Sequence, residues 1–265
     1  MSALAAEIDA LRDVAAAGAT VAHAGFRGRL EIDQKGGETD LVTHIDHAAQ
    51  TAVVEAITAQ FDEPQIVAEE GMLPKQLPAE GTAWVVDPID GTHNFIRGRR
   101  LFATAVGLVV DGEPRAGTSA FPAMGDVYHT DGSTVWRNDE AVGVSSVQNP
   151  REAIIAPLLW WEHDERDRYA AVCGALVRRF ADIRRIGAAQ GVLAQIAEGA
   201  IDGAIATSRG HPWDTVGGVA MVRAAGGRVT DLSGRRWRPD AVGMVASNGQ
   251  LHAELLETAT EVLDG

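Results

Sequence analysis

Apolar or small residues at Leu4, Ile8, Leu11, Ala15, Gly18 and Ala22 share one helical stripe and predict a helix over residues 2–24, ended by Gly25 and Gly28. Residues 29–43 are polar and read as extended chain. A second helical period spans 45–61, with Ala48, Ala49, Ala52, Val53, Ala56 and Ile57 inward and Pro64 as its stop. Two short, unbroken apolar runs follow. Residues 66–68 end in Glu69-Glu70-Gly71, and residues 84–86 end in Asp87-Pro88. Such runs predict buried strands, and both deliver carboxylates where they stop, which marks that edge as a candidate site.

The pattern then changes to antiparallel sheet. Residues 103–110 and 115–120 flank Asp111-Gly112, a hairpin signal whose loop Pro114 is expected to lengthen. Residues 127–130 and 134–137 flank Asp131-Gly132 in the same way. A joint is expected at 143–150, after which strands at 154–159, 201–207, 229–231 and 244–246 alternate with helices at 165–180, 187–199, 214–225 and 249–263. Alternation of this kind predicts an α/β half with a mixed sheet. The expected division is an α+β half over 1–145, with the acidic loops, and an α/β half over 146–265.

Composition narrows the possibilities. The chain has 265 residues, 46% of them hydrophobic and 23% charged, which suits a sizeable core and excludes extensive disorder. A formal charge of −14 repels nucleic-acid phosphates, so no nucleic-acid partner is expected. The lone cysteine, Cys173, excludes an internal disulfide framework and reads as a small buried side chain of a helix. The first residues lack a basic region and carry Glu7 and Asp9, unlike a secretory signal, and no apolar run is long enough to span a membrane. A cytoplasmic setting is expected.

The densest chemistry lies in Asp87-Pro88-Ile89-Asp90-Gly91-Thr92-His93. Pro88 fixes its own φ and biases Asp87 toward extended backbone, so the two carboxylates can converge. Close carboxylates repel unless a cation lies between them, and oxygen ligands favour Mg²⁺ over Zn²⁺. A helix starting at Asp90 or Gly91 would add free N–H groups for an anion. Each feature alone has a plainer reading. Asp-Pro and Asp-Gly make turns, Glu69-Glu70 a solvated surface, and Asp40, Asp46 and Asp214 helix caps. Their joint occurrence at strand and helix boundaries carries the inference.

These segments resemble the inositol monophosphatase family, within the lithium-sensitive, magnesium-dependent phosphatases. The matching residues are Lys35 with 40–46, 68–71, Trp84 through Thr92, Arg184-Arg185-Ile186-Gly187-Ala188-Ala189, and Trp213-Asp214, in the family's order over about residues 35 to 227. The resemblance implies a layered α-β-α-β-α sandwich of α+β class, usually a homodimer. It implies a first metal on Glu69, Asp87, the Ile89 carbonyl and Asp90, a second on Asp87, Asp90 and Asp214, and a third, weaker one near Glu69. Two or three Mg²⁺ ions are thus implied, with Li⁺ as inhibitor. Thr92, supported by Asp46, would orient the attacking water, the Gly91 and Thr92 amides would hold phosphate oxygens, and Lys35 would balance charge. The substrate side would include Ala189.

Departures from the family pattern bear on the substrate. His93 stands where a second threonine is common; it either faces substrate or packs. Thr207 stands where inositol-specific members carry a glutamate, which weakens inositol 1-phosphate as sole substrate. Arg209 and His211, in the same loop, either favour extra negative charge or are solvated surface. The segment after Glu70, with Pro74 and Pro78, could act as a lid. The expected function is hydrolysis of an inositol, cyclitol or sugar phosphate. Histidinol phosphate and sugar or nucleotide bisphosphates are alternatives, and a non-catalytic interaction protein is the reading of a different class.

Overall fold

The first helical stripe forms α1 (Ala3–Gly25), which buries Leu11, Val14, Ala15 and Ala22. The computed structural model describes residues 3–35, 40–158 and 166–264; Ser2, Thr39, Leu159 and Glu165, which belong to segments predicted above, lie outside them. A short antiparallel hairpin, β1 (Ile32–Gln34) with β2 (Leu41–Thr43), leads into α2 (His44–Thr58). Thr43 caps that helix through its hydroxyl, which accepts from the Ile45 N–H, while Asp46 at the third position accepts from the Thr43 N–H. This capping box satisfies donors that a helix start leaves unpaired. The helix ends at Thr58, short of Phe61, because the Gln60 and Phe61 N–H groups both turn back to the Ile57 carbonyl.

Among the described residues, a seven-stranded sheet follows in chain order. Its members are β3 (Ile66–Ala68), β4 (Thr82–Asp90), β5 (Ala103–Val110), β6 (Glu113–Phe121), β7 (Asp126–Thr130), β8 (Val135–Arg137) and β9 (Glu140–Val142), with the short helix α3 (Thr92–Ile96) between β4 and β5. β3 is parallel to β4, and the later pairs are antiparallel. Pro114 does not lengthen the first hairpin. Asp111 (φ 51°) and Gly112 (φ 74°) form a two-residue turn, and Pro114 lies inside β6 at a register shift. A bulge is where a residue without an N–H can enter a ladder.

The second half contributes β10 (Ile154–Pro157), α4 (Arg166–Arg179), β11 (Asp182–Ile183), α5 (Ala189–Ala197), β12 (Gly203–Ala206), α6 (Pro212–Ala224), β13 (Arg228–Thr230), β14 (Met244–Ser247) and α7 (His252–Asp264). Its sheet runs β11-β10-β12-β14-β13 and is mixed: β10 is parallel to both neighbours, β14 antiparallel to both. Cys173 on α4 is half-buried beside Tyr169, less enclosed than expected. Among the described residues, no helix is long and apolar enough to cross a membrane.

Packing stacks these elements in the expected α-β-α-β-α order. The pair α1 and α2 covers one face of the large sheet, with Leu11, Val14, Val53 and Ile57 against Trp84, Val106 and Leu108. The central pair, α5 and α6, touches both sheets and shares the largest apolar cluster with them. On the outer face of the small sheet, α4 and α7 pack with Ile155, Leu176, Ile205 and Leu255. The central helices therefore fix where the two sheets meet, and α6 lies very close to the large sheet. A Cβ on Gly117 would sit 2.5 Å from the Gly217 Cα. Backbone cannot yield as a flexible side chain can. Gly117→Ala is expected to cost about 1–3 kcal/mol or more in equilibrium denaturation, as overpacking does; an unchanged midpoint would contradict so close a contact.

Candidate metal centre

The acidic segment predicted as a strand followed by a loop is strand throughout, with a bulge. Asp87 pairs with Ala105 and Asp90 with Ala103, so three steps along β4 match two along β5. In a regular strand, residues three apart point to opposite faces. One extra residue resets the alternation, and both carboxylates reach the same cavity. Pro88 supplies the local reason, since it has no N–H for the ladder. Its carbonyl is held by the Thr104 hydroxyl at 2.8 Å.

Four elements bring side chains to this point. Glu69 leaves the end of β3. Its carboxylate meets Lys35 Nζ at 2.6 Å, and Lys35 also reaches Glu70 at 2.7 Å. The backbone of Glu70 is gripped by the Gln50 amide, which donates to the carbonyl at 2.8 Å and accepts from the N–H at 2.7 Å. Lys75 donates to the Ala68 and Glu69 carbonyls at 2.7 and 2.6 Å. Asp90 receives the first amides of α5: Ala189 on Oδ1 at 2.8 Å, and Gln190 and Gly191 on Oδ2 at 2.9 and 3.3 Å. These are donors that a helix start leaves unpaired, and here a carboxylate of the protein takes them. Asp214 is the third residue of α6 and accepts from the His211 N–H at 2.9 Å, so His211 is the cap and Asp214 is not.

Thr92 links the acidic segment to α2. Its hydroxyl lies 3.3 Å from Asp46 Oδ1 and 3.1 Å from the Ile89 carbonyl. Gly91 caps α3 at φ 88°, and a Cβ there would meet Ala188, Gly187 and Leu101 at 3.1–3.2 Å, so both conformation and space demand glycine.

A cavity of about 840 Å³ collects these groups. Glu69, Asp87, Ile89, Asp90, Gly91, Thr92, His93, Ala189, Arg209 and Asp214, all predicted, line it. Lys35 and Asp46 act on the lining through Glu69 and Thr92. Thr207 is buried and outside the lining, which Ser208 joins in its place. Asp40, Lys75 and Arg185 also line the cavity. Lys75 was legible only as part of a proline-bearing segment, and Arg185 only as a member of a motif. His211 stacks on Trp213 at 4.6 Å, and Lys75 Nζ lies 5.7 Å from the Trp213 ring. A smaller cavity between α4 and α7, about 450 Å³, contains Arg179 paired with Glu254 and Glu261, and no buried carboxylate there needs a partner.

The electrostatics test whether this donor set suits a metal. Asp87 and Asp214 are held well above the usual carboxylate range, first by burial and then by Glu69, with Asp90 adding to both. Burial raises Asp90 to about 7 in spite of its three amide donors. Asp87 Oδ1 is buried with no hydrogen-bond partner. Burial would lower the Lys35 ammonium, but Glu69 and Glu70 outweigh it and raise the group. Among the described residues, no three His, Cys, Asp or Glu side chains already form a closed ligand set. Glu69 is drawn to Lys35 and Asp90 to α5, so the fit rests on donor chemistry and charge. Buried, mutually repelling carboxylates with an unpartnered oxygen suit a hard divalent cation.

Known proteins resemble this chain in sequence and in fold. A model described as the inositol monophosphatase family matches residues 4–264. A Thermotoga maritima protein named fructose-1,6-bisphosphatase/inositol-1-monophosphatase is 32% identical over 243 residues, 89% of this chain and 90% of its own length. An inositol-1-monophosphatase of Bacillus subtilis is 31% identical, covering 86% of each chain. A Neisseria meningitidis relative named putative Nus factor SuhB is 30% identical, covering 88% of this chain and 89% of its own length. Among solved structures, a Thermotoga maritima IMPase superposes with TM-score 0.86 at 30% identity, over 100% of this chain and 99% of that one.

Proton linkage gives a test of the repulsion. The raised carboxylates keep protons in the folded state that the unfolded chain releases near pH 4. The native state therefore binds more protons between about pH 4 and 7, and stability falls as pH rises through that window. In chelator, the protein is expected to melt higher at about pH 5 than at about pH 7.5. Asp87→Asn, which removes a charge opposed by burial and three neighbours, is expected to raise the metal-free midpoint at neutral pH. Melting curves check both; a midpoint that climbs with pH, or drops in the variant, would rule out the repulsion.

Proposed function

The chain belongs to the inositol monophosphatase family, and on that footing we propose that it is a Mg²⁺-dependent phosphomonoesterase acting on an inositol, cyclitol or sugar phosphate. The observation that carries the reading is the meeting of Glu69, Asp87, Asp90 and Asp214, from separate stretches of chain, on one cavity with a carboxylate oxygen left unpartnered. Glu69, Asp87, Asp90 and the Ile89 carbonyl would hold one cation, and Asp87, Asp90 and Asp214 a second. Glu69 would also serve a third, weaker ion. Such cations supply Lewis acidity that acidifies water and stabilises charge on the phosphoryl oxygens and the leaving alkoxide.

The chain's own groups handle the proton and the orientation. Thr92 can accept a proton from the attacking water while passing its own to Asp46, 3.3 Å away. Asp46 is raised by burial, although its Thr43 hydrogen bonds lower it, and a more basic carboxylate is a better proton acceptor near neutrality. The Gly91 and Thr92 amides would bind phosphate oxygens where the chain turns at Gly91. Lys35, tied to Glu69 and Glu70, limits the repulsion that an approaching phosphate dianion meets. Homodimer assembly and a cytoplasmic setting belong to the same proposal and follow from the family resemblance.

A second reading within the class is a bisphosphate substrate. It is favoured by Arg185 and Arg209, two guanidiniums lining the cavity. Histidinol phosphate fits less well, because the loop containing Arg209 offers an ammonium group no carboxylate. A purely non-catalytic interaction role leaves the buried, repelling carboxylates without a purpose.

Phosphate release from a panel of monoesters and bisphosphates, with and without Mg²⁺, tests the proposal. Metal-dependent turnover of cyclitol or sugar phosphates is expected, with lithium inhibiting. Asp214→Asn is expected to lower kcat/KM by about 10²- to 10³-fold with the fold intact, a loss of the size seen when one transition-state-stabilising group is removed. Turnover near the parent rate in that variant would refute the metal assignment.

A further inference from the structure

Gln190 is 1% exposed and bonds in three directions. Its backbone N–H donates to Asp90 Oδ2 at 2.9 Å. Its side-chain Nε2 donates to the Trp213 carbonyl at 2.8 Å, and its Oε1 accepts from the Ser119 hydroxyl at 3.4 Å. Trp213 immediately precedes Asp214. One residue thus ties the carboxylate delivered by β4 to the helical turn that presents Asp214.

A buried amide is an unexpected occupant for a contact between two helices that an apolar side chain could fill. An amide buried without partners is strongly disfavoured, so both ends must be satisfied, and both are. The facing helix leaves room: a Cβ on Gly218 would come 3.0 Å from Gln190 Oε1, and 2.4 Å from the Leu193 Cβ. The α5–α6 crossing is therefore closed by the same amide that reaches α6.

We propose that Gln190 is a positioning residue that sets the separation of the Asp90 and Asp214 carboxylates, and through it the affinity for the divalent cation they share. The inference rests on the reading of these carboxylates as a metal centre. Asp90 is fixed to the α5 amides and Asp214 to the His211 N–H; packing on the large sheet places the body of α6, and the Gln190 side chain adds a directed hydrogen bond from the start of α5 to the first turn of α6. Without that hydrogen bond, the first turn of α6 can shift relative to α5, and Asp214 with it, while Asp90 stays with β4. Groups that orient metal ligands typically contribute about 10- to 100-fold in metal affinity.

The test is a Mn²⁺ titration followed by electron paramagnetic resonance on the parent, Gln190→Met and Asp90→Asn, beside metal-free melting curves. Methionine keeps the length and volume of the side chain and removes its amide. Gln190→Met is expected to bind Mn²⁺ about 10- to 100-fold more weakly, and Asp90→Asn to lose the site. Parent-like Mn²⁺ affinity in Gln190→Met, with Asp90→Asn silent, overturns the positioning role even if the melting temperature falls, since that pattern marks a structural contact alone. Parent-like binding in Asp90→Asn instead overturns the metal-centre reading. Should Gln190→Met fail to fold, Gln190→Asn, whose amide stops short of the Trp213 carbonyl, is read by the same titration and the same criteria.

Discussion

Carboxylates that burial and their neighbours both oppose are the constraint around which this molecule is arranged. Asp87 is buried and Asp214 half-buried on the cavity wall, and each is pushed toward its neutral form by burial first and by Glu69 next. Charges in a low-dielectric interior repel strongly. A chain that needed only stability would place apolar side chains there, since Val85 and Val109 on the same face of the sheet pack with Trp213 and Val216 in ordinary core. Two kinds of compensation are visible. Asp90 takes three helix-start amides, and Glu69 takes an ammonium. Asp87 takes neither on Oδ1, so the least satisfied group lies at the centre of the cluster. Strain concentrated on one buried oxygen is the signature of a site built for a ligand.

The layers follow from the need to bring these groups together. Glu69 and Asp87 come from neighbouring parallel strands, so the β3–β4 pairing sets one spacing. Asp214 comes from a helix more than a hundred residues further along. Its position depends on how α6 lies on the large sheet, where Gly107, Gly117 and Gly217 permit backbone contact. The central helix pair does two tasks. It supplies core between the sheets, and the N-terminal ends of both helices open toward one cavity, one holding Asp90 and the other carrying Asp214.

Much of this was legible in the sequence, and the rest was hidden for identifiable reasons. Helical stripes and apolar runs located the principal helices and strands because burial imposes period on the chain. The acidic residues stood out because carboxylates at strand ends lack a cheap structural explanation when several occur together. The bulge in β4 was not readable: Pro88 marks an irregularity, but whether the strand stops or continues depends on β5, whose pairing is a long-range fact. Pro114 misled for the same reason, since its missing N–H falls at a register shift in a hairpin that two residues close. Gln190 carried no local signal at all. A glutamine near a helix start is unremarkable until the Trp213 carbonyl, distant in sequence, is placed against its amide.

The distribution of cations shows how an acidic chain can receive an anionic substrate. Of the 23 basic residues, only Lys35 and Lys75 are lysines, and both are bound to Glu69 or its immediate neighbours. A compact ammonium suits these places. Lys35 must divide its donors between two carboxylates, and Lys75 between two adjacent carbonyls, tasks for which a planar guanidinium fork is poorly shaped. Guanidiniums appear instead at Arg185 and Arg209, where the cavity is open to a substrate and a two-pronged donor matches phosphate oxygens. The overall charge of −14 therefore does not describe the site. Lysine braces the acidic turn, Lys75 from the cavity wall itself, arginine lines the cavity beside it, and the carboxylates between them hold the negative charge that a divalent cation would neutralise.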